Sequence, residues 1–211
     1  MLQQILHGAT QLGLTVNQEQ GQKLLQYLEL LRKWNKVHNL CANASFMHMV
    51  SYHILDSISV AGSINCEQKN VLDVGTGAGL PGIPLAIVVP SCKVNLLDSK
   101  IKKITFVQHA INVLGLPNTK AIVSRVDQFF PNAKFDIIIS RAFAELTEFV
   151  TSTGHLCAND GLIVAMKADP DCFTVGAEVG LGYKIIELKK LNIPGVKTKR
   201  SLVISGKAKH V

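Results

Sequence analysis

No stretch of this 211-residue chain reaches the roughly 18 to 20 uninterrupted apolar residues that a bilayer span demands. Residues 1–13 have neither the basic start nor the apolar block of a secretory signal, so a soluble, cytoplasmic protein with no membrane partner is expected. Cysteine is sparse: Cys41, Cys66, Cys92, Cys157 and Cys172 lie far apart, with no C-x-x-C pair and no histidine at zinc spacing. They read as reduced, mostly buried small hydrophobes, and no metal site is expected. Internal repeats and low-complexity segments are absent, and nothing reads as a dimer interface, so a monomer is expected. Acidic residues almost disappear from residues 181–211, which hold one acid against eight Lys/Arg. The net charge of +7 therefore divides as +1 over residues 1–69, −1 over 70–180 and +7 over 181–211. Interleaved with strand-like residues, such a block reads as a footprint for a polyanion rather than a solvated tail.

What is present falls into two textures. Through residue 64 the apolar residues recur at helical spacing. Leu2, Ile5, Leu6, Ala9 and Leu12 form one helix that Gly13 breaks. Thr15 with Gln18 reads as a capping box opening a second, whose stripe is Leu24, Leu25, Leu28, Leu31 and Trp34 and which runs into residues 35–39. A third helix is predicted over about 45–61. From Asn70 onward, short β-branched runs alternate with helix-length intervals: 71–74, 94–98, 121–124, 137–140 and 162–166. Strands apolar at consecutive positions predict a mostly parallel, doubly wound α/β sheet covered on both faces. Residues 185–188 and 202–205, separated by Pro194, Gly195 and basic residues, predict an antiparallel hairpin at a sheet edge. The division is thus an N-terminal helical extension, 1–64, and a Rossmann-like core, 65–211, packed as one globular unit.

The first strand of that core ends in a glycine loop: Asp73, Gly75, Thr76, Gly77, Gly79 and Leu80, followed by Pro81, Gly82 and Pro84 at a helix start. Glycines there let the backbone approach a ligand at the switch point of the sheet. Two ligand classes compete. Gly77, Gly79 and Gly82 satisfy the dinucleotide pattern, with Asp98 21 residues after Gly77, where an acid binds an adenosine ribose in either class. However, the strand delivers Gly75, not Gly77, at the tight turn, and the two prolines remove backbone donors that a pyrophosphate would use. That frame favours S-adenosylmethionine, which carries no phosphate. Asp98 can also be read as a cap for the next helix, and Asp73 either as an internal loop cap or as a partner of the donor's amino group.

Further motifs stand at strand and helix ends. They are Leu31 to Asn35 with Trp34, Asn39 with Leu40, His53 with Asp56 and Ser57, Leu97 to Ser99, Ser124 to Val126, and Ser140 to Ala144. Together with the glycine loop these resemble the bacterial small-subunit ribosomal RNA guanine-N7 methyltransferases, also called the glucose-inhibited division protein B family, over about residues 10–206. The resemblance implies a class I, S-adenosylmethionine-dependent fold and methyl transfer to N7 of a guanine in small-subunit ribosomal RNA, with S-adenosylhomocysteine as product. The substrate partner it implies is that RNA or the ribosomal subunit. Donor contacts are implied at positions matching Gly75, Leu80, Val126, Asp127 and Arg141, with Asp98 as ribose ligand. This chain departs from the family at Tyr52, where Arg is common, Asp127, where Glu is usual, and Ala168, where Gly often stands.

The chemistry agrees, because guanine N7 has a free in-plane lone pair and needs positioning, not proton abstraction. The fourth strand ends in Ser140, Arg141, Ala142 and Phe143, not in the Asn/Asp-Pro-Pro-aromatic signature of exocyclic-amine methylation, and no cysteine follows a proline as a nucleophile would. Arg141 is a site candidate by its position at a strand end. The RNA-contact candidates are Arg125, Lys167, Lys197, Lys199 and Arg200, with Phe143 as a stacking base partner. His53 and Asp56 share a helix face and read as structural as readily as functional, and Trp34 reads as core between helix and sheet. A small-molecule methyltransferase, a nicotinamide-dependent oxidoreductase and a non-enzymatic RNA-binding module are the competing readings.

Overall fold

A computed structural model describes residues 1–40, 45–141, 143, 145–168 and 171–207. Seven strands form one sheet in the order β3-β2-β1-β4-β5-β7-β6. They are β1 (Asn70–Val74), β2 (Lys93–Asp98), β3 (Thr119–Val123), β4 (Phe135–Ser140), β5 (Cys157–Lys167), β6 (Tyr183–Leu191) and β7 (Arg200–Lys207). The first five run parallel, whereas β7 inserts antiparallel between β5 and β6. The predicted hairpin is therefore present at one edge of the sheet, with β6 outermost.

Consecutive apolar residues along the central strands serve two cores, because successive side chains leave opposite faces of a strand. Val71, Ile137, Ile139, Val164, Met166, Leu202 and Ile204 face one core, and Leu72, Val74, Ile138, Ile163, Ala165 and Val203 face the other. The first is covered by the N-terminal helices α1 (Leu2–Gln11) and α2 (Gln18–His38), the 46–58 segment, α5 (Gly82–Val88) and α6 (Ile101–Leu114). The second is covered by α7 (Leu146–Thr153).

Several sequence expectations shift locally. The capping box of α2 is Asn17 with Gln20, not Thr15 with Gln18; Asn17 Oδ1 accepts from the Gln20 amide and Gln20 Oε1 from the Asn17 amide. Either pair has the required spacing, but the Gln20 side chain also reaches the Ile87 and Val88 carbonyls of α5, a tertiary reason for that frame. Trp34 packs against Phe106 and His109, so it lies between α2 and α6 rather than between helix and sheet. The 46–58 segment is not a uniform helix: α3 (Phe46–Met49) passes through a π-helical turn, Val50–Leu55, into α4 (Asp56–Ile58). Cys66, Cys92 and Cys157 are buried, whereas Cys172 is exposed; Cys41 lies outside the described residues. Among the described residues no helix is long and apolar enough to cross a membrane.

Candidate functional site

The glycine loop is held from three sides. At its start, the amides of Gly75 and Thr76 both donate to the Leu97 carbonyl at the end of β2, which folds the chain sharply after β1. Beneath it, fully buried Asp73 accepts from Thr76 Oγ1 at 2.6 Å and from the Gly82 amide at 2.9 Å, both on Oδ2. Burial pushes the Asp73 carboxyl up to about 6, opposed by those two hydrogen bonds. Behind it, the buried Tyr27 hydroxyl of α2 donates to the Ala78 carbonyl at 2.7 Å. Gly75, Gly77 and Gly79 all have positive φ, which glycine alone adopts without strain. Gly82 is required for a different reason: a Cβ there would lie 2.2 Å from Leu96 Cδ2.

Asp98 closes the loop from the tip of β2. Its Oδ2 accepts the Gly77 amide at 3.0 Å and its Oδ1 the Lys100 amide at 2.9 Å, with Lys103 Nζ 3.6 Å away. A carboxylate has about four lone-pair directions, so two stay available for a vicinal diol. The helix-cap and ligand readings of Asp98 are therefore compatible. Beside it opens a cleft of about 420 Å³, lined among others by Val74, Gly75, Leu97, Asp98, Val126 and Asp127. That volume suits a nucleoside-sized ligand. The amide at the head of α5 is already taken by the Asp73 carboxylate, which disfavours a pyrophosphate at the position a dinucleotide would use.

A second cavity, of about 470 Å³, adjoins the first across Phe143, which lines both. Phe143 stacks on Phe149 with ring centroids 4.9 Å apart, and its carbonyl accepts Lys167 Nζ at 2.7 Å. Burial lowers the Lys167 pKa, against the pull of Glu145. Arg141 opens into this cavity. Its Nη1 donates to the Tyr52 carbonyl at 3.1 Å and to Asp56 Oδ2 at 3.2 Å, while Arg200 Nε lies 3.3 Å from Asp56 Oδ1. Burial raises the Asp56 carboxyl above its ordinary range, opposed by the two guanidiniums. The π-helical turn brings Tyr52, His53 and Asp56 to one wall. Such turns recur at functional sites because they re-aim side chains.

The structure thus brings Gly75, Asp98, Arg125, Val126, Asp127 and Phe143 to the first cavity, and Arg141, Phe143, Lys167 and Arg200 to the second. Thr76, Gly79 and Leu80 shape the loop from within: Thr76 is bonded to Asp73, a Cβ on Gly79 would meet Ile83, and Leu80 is buried in the core. Arg125 is paired with Asp127 at the rim, which raises the guanidinium pKa and lowers that of the carboxyl. Lys197 and Lys199 lie on the β6–β7 connection, where Lys199 pairs with Asp171 and the Lys197 amide donates to Tyr52 Oη. Ala142 and Ala144 lie outside the described residues. Sequence reasoning missed Tyr27, which is buried on the same face of α2 as Leu24, Leu28 and Leu31 and carries no signal distinguishing it from a core aromatic. It also missed Lys103, one turn into α6 from Asp98.

Comparison with known proteins gives a consistent outcome. The profile of a family described as "rRNA small subunit methyltransferase G" matches residues 20–203. The ribosomal RNA small subunit methyltransferase G of Chromobacterium violaceum is 43% identical over 200 residues, covering 95% of each chain. That of Methylobacillus flagellatus is 44% identical over 203 residues, covering 96% of this chain and 97% of its own. Among solved structures, a SAM dependent methyltransferase from Aquifex aeolicus superposes with a TM-score of 0.56 at 18% identity, over 75% of this chain and 92% of its own. The S-adenosylmethionine-dependent methyltransferase SibL in its apo form gives 0.59 at 15% identity, over 91% and 74%. At those identities the structural likeness concerns the fold.

Proposed function

The chain belongs to the rRNA small subunit methyltransferase G family, and from that premise we propose that it transfers the methyl group of S-adenosylmethionine to N7 of a guanine in small-subunit ribosomal RNA. The observation that carries the donor assignment is the Asp73 carboxylate on the head of α5. It takes the anion position of the turn, so the cleft suits a nucleoside without phosphates, and it disfavours a nicotinamide dinucleotide. In this reading Gly75 and Gly77 let the backbone approach the donor, Asp98 accepts the ribose hydroxyls, and Val126 and Asp127 flank the adenine. When bound, the donor supplies an electrophilic methyl carbon on a sulfonium.

What the protein adds is alignment. Guanine N7 carries its own in-plane lone pair, so no side chain of this chain would have to remove a proton. Phe143, the shared wall of the two cavities, stands where donor and acceptor would meet. Arg200 and Lys197 on the basic C-terminal block, with Arg125 at the rim, would contact RNA phosphates. The partner is small-subunit RNA or the subunit, and the protein acts as a soluble monomer in the cytoplasm. Incubation with methyl-labelled S-adenosylmethionine and small-subunit RNA or subunits, followed by digestion and mass analysis, tests this. Labelled 7-methylguanosine is the expected product. Label confined to free nucleosides or small metabolites would instead support a small-molecule methyltransferase.

A further inference from the structure

Ala78 stands in the donor loop between Gly77 and Gly79, at φ of 61° and 89°, where missing side chains leave the backbone free to rotate. The turn itself is tight, since the Thr76 carbonyl accepts from both the Gly79 and the Leu80 amides. The direction of the peptides on either side of Ala78 is fixed from outside the loop. The Gly77 amide donates to Asp98 Oδ2 at 3.0 Å on one side, and the Ala78 carbonyl accepts the Tyr27 hydroxyl at 2.7 Å on the other. Tyr27 lies on α2, 51 residues earlier in the chain, and is fully buried. A buried phenol needs a partner for its hydroxyl. Its ring sits 6.3 Å from that of Phe106 on α6, the helix that follows Asp98. Two turns earlier on the same face of α2, Gln20 Nε2 donates to the Ile87 carbonyl at 3.0 Å and to the Val88 carbonyl at 3.2 Å, at the far end of α5. Helix α2 therefore grips the loop and the helix that leaves it at both ends.

We propose that Tyr27 is a positioning residue for the methyl donor, with Gln20 as the second point of attachment, so that the N-terminal helical extension sets donor affinity. The inference rests on the reading above that the donor lies across the glycine loop with its ribose on Asp98. Tyr27 acts through Ala78 and touches no donor atom. A carboxylate offers a diol only the lone pairs that its existing hydrogen bonds leave, in the orientation those bonds impose. Asp98 is oriented by the Gly77 and Lys100 amides, and the Gly77 amide by the adjoining peptide that Tyr27 holds. Without the phenol, rotation about Gly77 and Gly79 turns the Ala78 carbonyl away from α2 and takes the Gly77 amide off Asp98. Donor binding then has to restore the arrangement, and affinity falls accordingly, which is the loss of a preorganised site. The second cavity shares no residue with this attachment, so binding of RNA is left as it was.

The test uses the full-length protein. Tyr27→Phe keeps the ring beside Phe106 and removes the hydroxyl. Gln20→Glu keeps an acceptor for the Asn17 amide, so the capping box of α2 survives, but sets a carboxylate against the two carbonyls of α5. Calorimetry with S-adenosylhomocysteine should show Kd raised roughly 5- to 30-fold in Tyr27→Phe, from one buried carbonyl left unpaired, and roughly 3- to 10-fold in Gln20→Glu. In methyl transfer to small subunits, KM for S-adenosylmethionine should rise in step, while kcat at saturating donor and KM for the subunit stay within about twofold of wild type. Hydrogen exchange separates positioning from a general loss of stability. It should quicken at Gly77, Ala78 and Gly79 in the ligand-free variants, leave β1 and β2 as they are, and return to the wild-type rate with ligand bound. Wild-type Kd at a lowered Tm overturns the proposal, as does a fall in kcat with donor KM unmoved. Should Tyr27→Phe not fold, Gln20→Glu decides by the same criteria. Failure of the wild type to bind S-adenosylhomocysteine overturns the reading of the donor cleft itself.

Discussion

Gly82→Ala is the sharpest probe of how the donor loop is built. Its φ is not positive, so the backbone accepts alanine and the whole effect is steric. The new methyl would sit 2.2 Å from Leu96 Cδ2, 2.8 Å from Asp73 Oδ2 and 3.2 Å from Asp73 Cβ. Both neighbours are fully buried on adjacent strands and have nowhere to go. Overpacking of this kind costs about 1–3 kcal/mol. Displacing Asp73 also loosens its bonds to Thr76 and Gly82, and an unsatisfied buried group adds about 1–3 kcal/mol. The helical preference of alanine over glycine offsets less than about 1 kcal/mol. A net loss of about 1–6 kcal/mol, at roughly 2–4 °C per kcal/mol for a chain this size, lowers Tm by roughly 2–24 °C. The added stability from saturating S-adenosylhomocysteine, about 2.7 kcal/mol at a hundredfold excess over Kd in wild type, should shrink as the loop shifts. Gly77→Ala is the contrast: its nearest neighbour would be 3.9 Å away, and with φ at 61° it incurs only the left-handed backbone penalty of about 1–2 kcal/mol. Thermal melts with and without ligand read both. Unchanged melting of Gly82→Ala, or a larger loss for Gly77→Ala, would refute the packing argument.

Three other outcomes follow from the same geometry. Asp98→Asn removes the charge from the proposed ribose contact, worth about 1.5–3 kcal/mol, so calorimetric affinity for S-adenosylhomocysteine should fall roughly 10- to 150-fold; unchanged affinity would place the ribose elsewhere. Asp73 has a folded-state pKa of about 6 against 3.8 unfolded, so its protonated form is favoured on folding. Its contribution is complete below pH 3.8 and is lost as pH rises through 6. Asp73→Asn cannot lose it, so in the ligand-free protein the variant's stability relative to wild type should rise by roughly 3 kcal/mol across that window, and a flat difference would contradict the burial argument. Lys197→Ala, exposed on the β6–β7 connection, should leave Tm unchanged and reduce the slope of log affinity against log salt by about one if the lysine meets a phosphate of the RNA.

Backbone-level features were the most legible in the sequence. The five parallel strands, the glycine turn and the hairpin all announce themselves through period and punctuation, because one strand's own side chains define both of its faces. The second cavity was not legible, since its residues come from positions near 50, 141, 167 and 200 and no local rule brings them together. Arg141 illustrates the gap. Its place at a strand end marked it for a site, but its pairing with Asp56 depends on how the 46–58 segment crosses the sheet. The π-helical turn has no signature in the apolar spacing of that segment, and without it His53 reads as an ordinary helix residue. The capping box failed for a similar reason: two frames satisfied the pattern, and contacts with α5, 67 and 68 residues away in sequence, chose between them.

Arg200 has a consequence for biogenesis. The residues around Asp98 come from a contiguous stretch between positions 74 and 152, whereas the wall that holds Asp56 is finished only by a side chain from the last strand. During synthesis, therefore, every side chain that lines the first cavity precedes the one that completes the second.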